Sequence, residues 1–506
     1  MNQNIDYLTG HRNGRLEAHL KNTRFIRSKI VSDLMNRREF LEAGAAGAVL
    51  LGTGLGELSS AATRSEDWPP KLPPVKIHKV FVGGSGGWPK PDLDIGAEIA
   101  MLEGHLAETE RKLGDVKFVG GELVQSPEEA AKVAAKFAEA DGVLAFNLTC
   151  IVESVIAPIL EAGFPTVVFS QPYSGHDWCK ITKLPRVGKK IVLLATSNYG
   201  EITELAGVMR VAPRLRQTRI IHIGNQWGTT LSPKLKEKFG VDVVQIEYDR
   251  FQKIYDSIDN KLVEAETKEW IKGADKVIEP SKDDIRNASR VYFTMKQLIT
   301  EEKARAITIN CLGGFPLDQY GYQCLGFSKL NDQGIVAACE ADMDSTLTML
   351  MFWYAFGVPG FISDPVFDTS TNTVIHAHCV SATKMDGPDG PRCPYDIRNH
   401  LERYKGAALR VKYRVGQPIT CAKLINLDTI LISTGKIIGS PDVDRACRSK
   451  MATKVADARK MLDNWGGGVV EGGMVEHLHR VLFYGDRLQN IKNLGTLMGL
   501  KVVEEG

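Results

Sequence analysis

The chain has 506 residues, enough for about three domains of ordinary size. Hydrophobic residues make up 43% and charged residues 25%, which is typical of a soluble globular protein. The 63 Lys and Arg residues barely exceed the 61 Asp and Glu residues. This near balance of charge does not indicate the basic surface that a nucleic-acid partner would need.

The first 75 residues are interpreted as an N-terminal tail, an export signal and a Pro-rich linker. Arg37 and Arg38 precede a segment, 43–56, of 14 uncharged residues rich in Gly and Ala. This segment is too short to span a bilayer, but it fits the apolar core of a signal peptide. The stretch resembles a twin-arginine export signal. It predicts a periplasmic or exported protein without a membrane anchor, and a cytoplasmic one if the segment is not a signal.

Nine cysteines are spread along the chain, and none forms a C-x-x-C pair. This spacing predicts neither a disulfide framework nor a zinc finger. It suits a protein that folds in a reducing compartment. Twin-arginine signals export folded proteins, which reconciles free thiols with a periplasmic location.

From residue 76 onward, predicted strands and helices alternate, which indicates parallel sheets covered by helices. A first α/β domain is placed at 76–187 and a second at 188–357. The strands expected in the first domain are 79–82, 116–119, 142–146 and 166–169. The strands expected in the second domain are 191–195, 219–223, 241–246 and 306–309. Long helices are expected at 251–267 and 282–302 in the second domain.

After Pro359 the pattern changes to short alternating segments separated by Gly and Pro turns. Such segments predict an antiparallel, barrel-like domain at 358–506. The predicted fold class is therefore α/β, with two Rossmann-like parallel-sheet domains followed by a β-rich barrel-like C-terminal domain.

Two loops of the first domain are candidate ligand sites. The glycine-rich loop 83–87 lacks the full G-x-G-x-x-G pattern, which disfavours a nucleotide site and an NAD-dependent oxidoreductase. His176 and Asp177 follow a predicted strand, where open α/β sheets bind ligands. A histidine beside an acid suits sugar hydroxyls, although a surface turn capped by the Asp would explain the pair equally well.

The region 334–368 predicts a loop, a buried helix and a strand, with acidic residues at the junctions. Asp342 and Asp344 lie where a helix begins, and capping explains them. Glu340 lies outside the helix, and Asp364 follows an apolar strand 24 positions later. Aspartate is rarely buried unless it is paired or bound to a metal. Glu340 and Asp364 are therefore candidate metal ligands.

Three histidines in the last domain are candidates for the remaining contacts. His376 and His378 lie two apart in a predicted strand and so share a face, where they could bind a metal or line a pocket. His479 stands at the head of a strand near the C-terminus and could point into a cleft.

Together these segments resemble the L-fucose isomerase / L-arabinose isomerase family, over about 76–503. The segments that carry the resemblance are Cys339-Glu340-Ala341-Asp342 with Asp364, His479 ahead of Val481-Leu482 and Gly485, and Gly175-His176-Asp177. Leu478 departs from the pattern, because fucose isomerase has there an asparagine that touches substrate.

The resemblance implies that Glu340, Asp364 and His479 hold a divalent metal, expected to be Mn²⁺, and that the chain forms a homo-oligomer, a trimer or hexamer. We expect an intramolecular oxidoreductase that interconverts an aldose and a ketose, a pentose or 6-deoxyhexose, through a metal-stabilised enediol. Glu340 and Asp364 would be catalytic, and His176, Asp177, His376 and His378 would bind substrate. The alternative is an exported sugar-binding protein with the same fold and no catalysis, which the export signal would suit.

Overall fold

The structure, a computed structural model, describes residues 68–84, 87–150, 153–176, 178–224, 227–467 and 478–506. All of them belong to one compact unit. The predicted export signal and Asp177 lie outside the described residues. In chain order the strands are β1 (Val75–Val82), β2 (Val116–Val124), β3 (Gly142–Asn147), β4 (Thr166–Ser170), β5 (Ile191–Ala195), β6 (Arg219–Ile223), β7 (Asp242–Ile246), β8 (Lys276–Val277), β9 (Ala306–Ile309), β10 (Val336–Cys339), β11 (Phe361–Asp368), β12 (Thr373–His378), β13 (Tyr395–His400), β14 (Lys405–Val411), β15 (Pro418–Ile425), β16 (Thr429–Gly439), β17 (Ser449–Lys454), β18 (Arg480–Tyr484) and β19 (Lys501–Glu504).

The first sheet is parallel and has the strand order β2-β1-β3-β4-β5. Its central strands β3 and β4 are buried along their whole length, as expected when helices cover both faces. The helices of this part are Ile95–Leu113, Pro127–Ala134, Glu153–Glu161 and Trp178–Ile181. Strand β5 corrects the sequence interpretation, which places 191–195 in the second domain. It pairs with β4 in the first sheet. The sequence could not show this, because an edge strand can join either neighbouring sheet and its own residue pattern is the same in both cases. The domain boundaries themselves stay predictions.

The second sheet is also parallel, with the order β10-β9-β6-β7. The helices of this part are Gly200–Met209, Val211–Arg216, Trp227–Phe239, Tyr248–Ser257, Asn260–Gly273, Lys282–Glu302, Leu317–Tyr320, Cys324–Asp332 and Met343–Phe356. The single helix expected at 251–267 is wrong, because the chain makes two helices there. Asp259 leaves the helical conformation and caps the second one by accepting a hydrogen bond from the Lys261 backbone N–H.

The C-terminal part contains a closed antiparallel barrel of six strands. Their order is β15-β18-β11-β12-β17-β16, and β16 pairs back with β15 to close the ring. Strand β19 adds to β16 in parallel, and β8, β13 and β14 form a separate small sheet. The remaining helices of this part are Ala458–Gly467 and Leu488–Met498. The predicted α/β fold with a barrel-like C-terminal domain is confirmed.

Helix Met343–Phe356 connects the second sheet to the barrel. Asp342 caps its first turn, and Gly357 ends it in the left-handed conformation with φ +68°. Most of its side chains are buried, because it packs against β10 on one side and against β15 and β18 on the other. The helix thus brings the end of β10 to the barrel. Among the described residues, no helix is both long and apolar enough to cross a membrane.

Candidate metal centre

Glu340, Asp364 and His479 come from different elements, and both carboxylates lie close to one ring nitrogen of His479. The His479 Nε2 atom lies 3.4 Å from a Glu340 carboxylate oxygen and 3.3 Å from an Asp364 carboxylate oxygen. The pairing of β11 with β18 explains why Asp364 lies close to His479. Ser363 of β11 pairs with Arg480 of β18, and the strands are antiparallel, so Asp364 and His479 occupy the next facing positions. Glu340 arrives from the second sheet, at the end of β10.

The backbone turns sharply where Glu340 leaves β10. Glu340 and Ala341 have φ values of +62° and +56°, so two successive residues with a Cβ occupy the left-handed region. This region costs such residues about 1–2 kcal/mol each, and it persists only where surrounding contacts enforce it. The Ala341 N–H donates to the Ile309 carbonyl, and the Asp342 N–H donates to the Cys339 carbonyl. The turn places the Glu340 side chain beside the barrel histidines.

His479 is oriented by a carboxylate on its far side. Its Nδ1 lies 2.9 Å from Asp342 Oδ2, which leaves Nε2 facing Glu340 and Asp364. Asp342 also accepts hydrogen bonds from the Ser345 backbone N–H and hydroxyl, both 2.8 Å away, and from buried Lys423. A histidine held in this way by a carboxylate is typical of metal sites, where the outer partner fixes the ring and its tautomer.

The pKa values follow from this network of charges. Burial lowers the pKa of His479, but the hydrogen bond with Asp342 and the nearby carboxylates of Asp364 and Glu340 outweigh it and hold that pKa well above the usual value. Burial raises the pKa of Glu340, but the nearby imidazoles of His378 and His479, each 3.4 Å away, outweigh it, so the net pKa is lowered. Asp342 likewise has a strongly lowered pKa, because Lys423 and His479 more than offset its burial. Glu340 and Asp342 are therefore ionised at neutral pH.

His378 lies beside the same carboxylates, at the end of β12. Its Nε2 is 3.4 Å from Glu340 Oε1, and its ring centroid is 5.6 Å from that of His479. Both ring nitrogens of His378 and the Nε2 of His479 are buried without a hydrogen-bond partner in the described structure. Buried polar atoms are nearly always satisfied, so the two orphaned Nε2 atoms that face carboxylates fit a site for a cation or a polar ligand. The assignment of His378 to substrate binding stays a prediction.

The other sequence candidates lie elsewhere. His376 is buried, its Nδ1 is 3.1 Å from the Ser363 hydroxyl, and burial lowers its pKa to about 3, so it is a neutral barrel residue. His176 is exposed on the first sheet, with its ring 5.2 Å from that of Trp88. In the described structure neither side chain makes a hydrogen bond or ion pair with Glu340, Asp364 or His479. Their role in substrate binding stays a prediction.

Several residues at the site carry no signal in the sequence. Lys423 is an isolated lysine in β15, and nothing in its neighbours indicates that it reaches Asp342. His400 is buried, its Nδ1 has no partner in the part of the chain described, and burial lowers its pKa to about 4, with His378 nearby adding to the effect. Cys311 and Cys339 flank Glu340 with their sulfur atoms 3.3 Å apart. Only the capping role of Asp342 is visible in the sequence, not its contact with His479.

Comparison with known proteins indicates relatedness to sugar isomerases. The chain is similar to "Sulfoquinovose isomerase" of Alkalicoccus urumqiensis, with 22% identity over 317 residues, or 59% of this chain and 68% of that protein. The protein of the same name from Priestia aryabhattai is 22% identical over 312 residues, which cover 58% of this chain and 66% of the relative. A third, from Clostridium sp. (strain MSTE9), is 32% identical over 95 residues, 18% of this chain and 21% of the relative. No family model matches the chain.

Solved structures give only weak matches. A carbohydrate transporter from Acidothermus cellulolyticus 11B, in complex with myo-inositol, aligns at 11% identity and a TM-score of 0.16, covering 56% of this chain and 87% of that one. GanP, a glucose-galactose binding protein from Geobacillus stearothermophilus, aligns at 16% identity and a TM-score of 0.15, covering 55% and 91%. The relatives named as isomerases thus support a sugar isomerase at low identity, and this support comes from sequence similarity rather than from the structural matches.

Proposed function

We propose that the protein is a metal-dependent aldose–ketose isomerase. The main support is that two carboxylates face one anchored nitrogen: His479 Nε2 lies 3.4 Å from a carboxylate oxygen of Glu340 and 3.3 Å from one of Asp364. The relatives named sulfoquinovose isomerase support an isomerase acting on a sugar. A protein that only binds a sugar has no need for a histidine held by Asp342 toward two carboxylates.

The donor set suits a hard divalent cation. Two carboxylates and one imidazole favour Mn²⁺, Mg²⁺, Co²⁺ or Fe²⁺ over structural zinc, and we propose Mn²⁺. Glu340, Asp364 and His479 would hold it, and the bound ion would polarise the sugar carbonyl. The orphaned Nε2 of His479 and the lowered pKa of Glu340 fit this assignment.

The side chains divide the proton chemistry among themselves. Glu340 and Asp364 approach His479 from two different elements, so they can flank the C1–C2 unit of an open-chain sugar. One carboxylate accepts the proton from C2 and returns it to C1, and the other exchanges a proton with the hydroxyl oxygens. Asp342 keeps His479 in one orientation throughout. The unpartnered nitrogens of His378 are placed to hydrogen-bond a sugar hydroxyl.

The substrate is a pentose, a 6-deoxyhexose, or the sulfonated sugar named in the relatives. A panel of these sugars, incubated with the Mn²⁺-loaded full-length protein, tests the proposal by measuring ketose formation. We expect turnover of at least one member, and its loss when a chelator removes the metal. Binding of a sugar without any ketose would contradict the proposal and favour the sugar-binding alternative. Turnover that survives complete metal removal would contradict the metal dependence.

A further inference from the structure

Two cysteines meet next to Glu340. Cys339 ends β10, and Cys311 lies just beyond the end of β9, the neighbouring parallel strand. Both are buried, and their sulfur atoms are 3.3 Å apart. Within the described residues, two groups of possible metal ligands have all ligand atoms within 4.8 Å of one another. They are Glu340 with His378 and His479, and Glu340 with Cys311 and Cys339. Glu340 belongs to both groups.

The distance between the two sulfur atoms is closer to the distance between two thiolates bound to one metal ion than to the length of a disulfide bond. Two thiolates bound to one tetrahedral zinc ion at about 2.3 Å each lie about 3.8 Å apart, which needs an expansion of about half an ångström here. A disulfide bond of about 2.05 Å needs a contraction more than twice as large, by two side chains packed in the core. Thiolates are also soft ligands, which prefer zinc and cadmium over manganese.

Gln323 supplies an independent indication that this group is built to receive a ligand. Its side-chain amide Nε2 lies 3.4 Å from Cys339 Sγ. The Oε1 atom of the same amide is buried and has no partner among the described residues, and the residue is only 1% exposed. An unsatisfied buried oxygen beside two thiols could ligate a cation or accept a hydrogen bond from a water bound to it.

We propose that Cys311, Cys339 and Glu340 form a site for a thiophilic divalent cation, Zn²⁺ or Cd²⁺, that shares one carboxylate with the centre described above. Binding releases the two thiol protons to solvent and draws Glu340 toward the sulfur atoms. Glu340 then no longer completes the group around His479, so occupancy of the thiol site inhibits the enzyme. The inhibitory consequence rests on the proposed function, whereas the coordination by sulfur does not.

Cadmium titration of the full-length protein tests the site through the ultraviolet charge-transfer absorption of cadmium thiolates. The starting protein carries Cys150→Ser and Cys179→Ser, since these two thiols are exposed and would bind cadmium themselves. Cys311→Ser and Cys339→Ser are compared in this background with Cys421→Ser, a buried cysteine of β15 that does not touch the centre. Thermal unfolding checks each variant, and Cys339→Ala replaces Cys339→Ser if the latter does not fold.

We expect one equivalent of the thiolate absorption in the background protein and in Cys421→Ser, and its loss in Cys311→Ser and Cys339→Ser. Cadmium should inhibit ketose formation in the first two proteins at least tenfold more strongly than in the last two, each relative to its own rate without cadmium. An unchanged absorption in Cys311→Ser and Cys339→Ser would overturn the site. The expected absorption in a protein that isomerises no sugar would keep the site and remove the proposed function, so the two failures are distinguishable.

Discussion

Asp342 shows how one residue can serve both a helix and a functional site. It caps helix Met343–Phe356 through Ser345, and it holds Nδ1 of His479 at 2.9 Å. Lys423, which is 1% exposed, neutralises its charge in the interior. A buried carboxylate that is paired in this way can orient an imidazole without the cost of an isolated charge.

Replacing Asp342 with Asn should weaken metal binding. The amide keeps the shape of the cap but loses the charge that fixes the tautomer of His479, and outer partners of this kind are worth about 10–100-fold in metal affinity. Calorimetric titration with Mn²⁺ measures the change. Asp344→Asn is the matched control, because it makes the same change in the same turn without contact to His479. Equal affinity in Asp342→Asn and in wild type would contradict the assigned role.

Asp344 should make stability depend on pH. Burial, reinforced by Asp342 and only partly offset by Lys423, raises its pKa from 3.8 to about 6. Between these values the folded protein keeps a proton that the unfolded chain has released, so the free energy of unfolding falls as pH rises through this window. Asp344→Asn should therefore stabilise the protein by about 1–3 kcal/mol at pH 7 and by much less near pH 4. Urea unfolding at the two pH values measures this, and a pH-independent difference would contradict it.

At the residue scale, the sequence indicates the candidate metal ligands better than it indicates the residues that surround and orient them. Glu340 and Asp364 stand out because acidic residues beside apolar strands need a partner, and the structure does bring them together at His479. Lys423 and His400 do not stand out, because their contacts join positions far apart in the chain. His378 faces Glu340 whereas His376 faces Ser363, and the alternation of a strand does not predict this difference.

At the scale of elements, the turn between β10 and helix Met343–Phe356 sets the direction of Glu340. Two left-handed residues with side chains, Glu340 and Ala341, carry the chain around this corner. Such conformations concentrate at functional sites, where surrounding contacts offset their cost. The hydrogen bonds from Ala341 and Asp342 to β9 and β10 are the contacts that do so here.

Glycine substitution should therefore affect stability differently in the turn and in the strand before it. Ala341→Gly relieves the left-handed strain and should be neutral or stabilising by up to about 1 kcal/mol. Ala338→Gly, in the buried extended part of β10, should destabilise by about 1 kcal/mol. Denaturant unfolding of both variants measures the difference. Equal destabilisation by the two substitutions would show that the turn at Ala341 is not strained.

Helices with clear apolar spacing and a capping motif are predicted well from the sequence, whereas helix breaks and strand pairing are not. The helix Lys282–Glu302 is found where the apolar spacing places it, begun by a capping box at Ser281 and Asp284. The break at Asp259 was missed, because apolar spacing continues across it while the cap ends the hydrogen-bond ladder. The sequence of β5 does not indicate which sheet the strand joins, since that depends on the strand with which it pairs.

At the scale of the whole molecule, the centre joins two parts of the fold. Glu340 belongs to the end of the second sheet, and Asp364 and His479 belong to the barrel. An ion held by all three would connect these parts directly. The trimeric or hexameric assembly and the export of the protein stay predictions.

Manganese should consequently stabilise the folded chain. At a free concentration 100-fold above the dissociation constant, a ligand that binds only the folded state adds about 2.7 kcal/mol. The thermal unfolding midpoint of the wild type should rise with Mn²⁺ and fall back with a chelator. Glu340→Gln, which removes the ligand from the second sheet, should show little of this rise. An equal rise in Glu340→Gln would place the stabilising ion elsewhere.

In the proposed reaction, Glu340 and Asp364 together carry out proton transfer on a sugar. The decisive experiment uses the sugar that the wild type converts and follows ketose formation by proton NMR in the Mn²⁺-loaded proteins. Glu340→Gln and Asp364→Asn should each lower the rate by about 100- to 10,000-fold while circular dichroism shows an intact fold. A wild-type rate in either variant would rule out a catalytic role for that carboxylate.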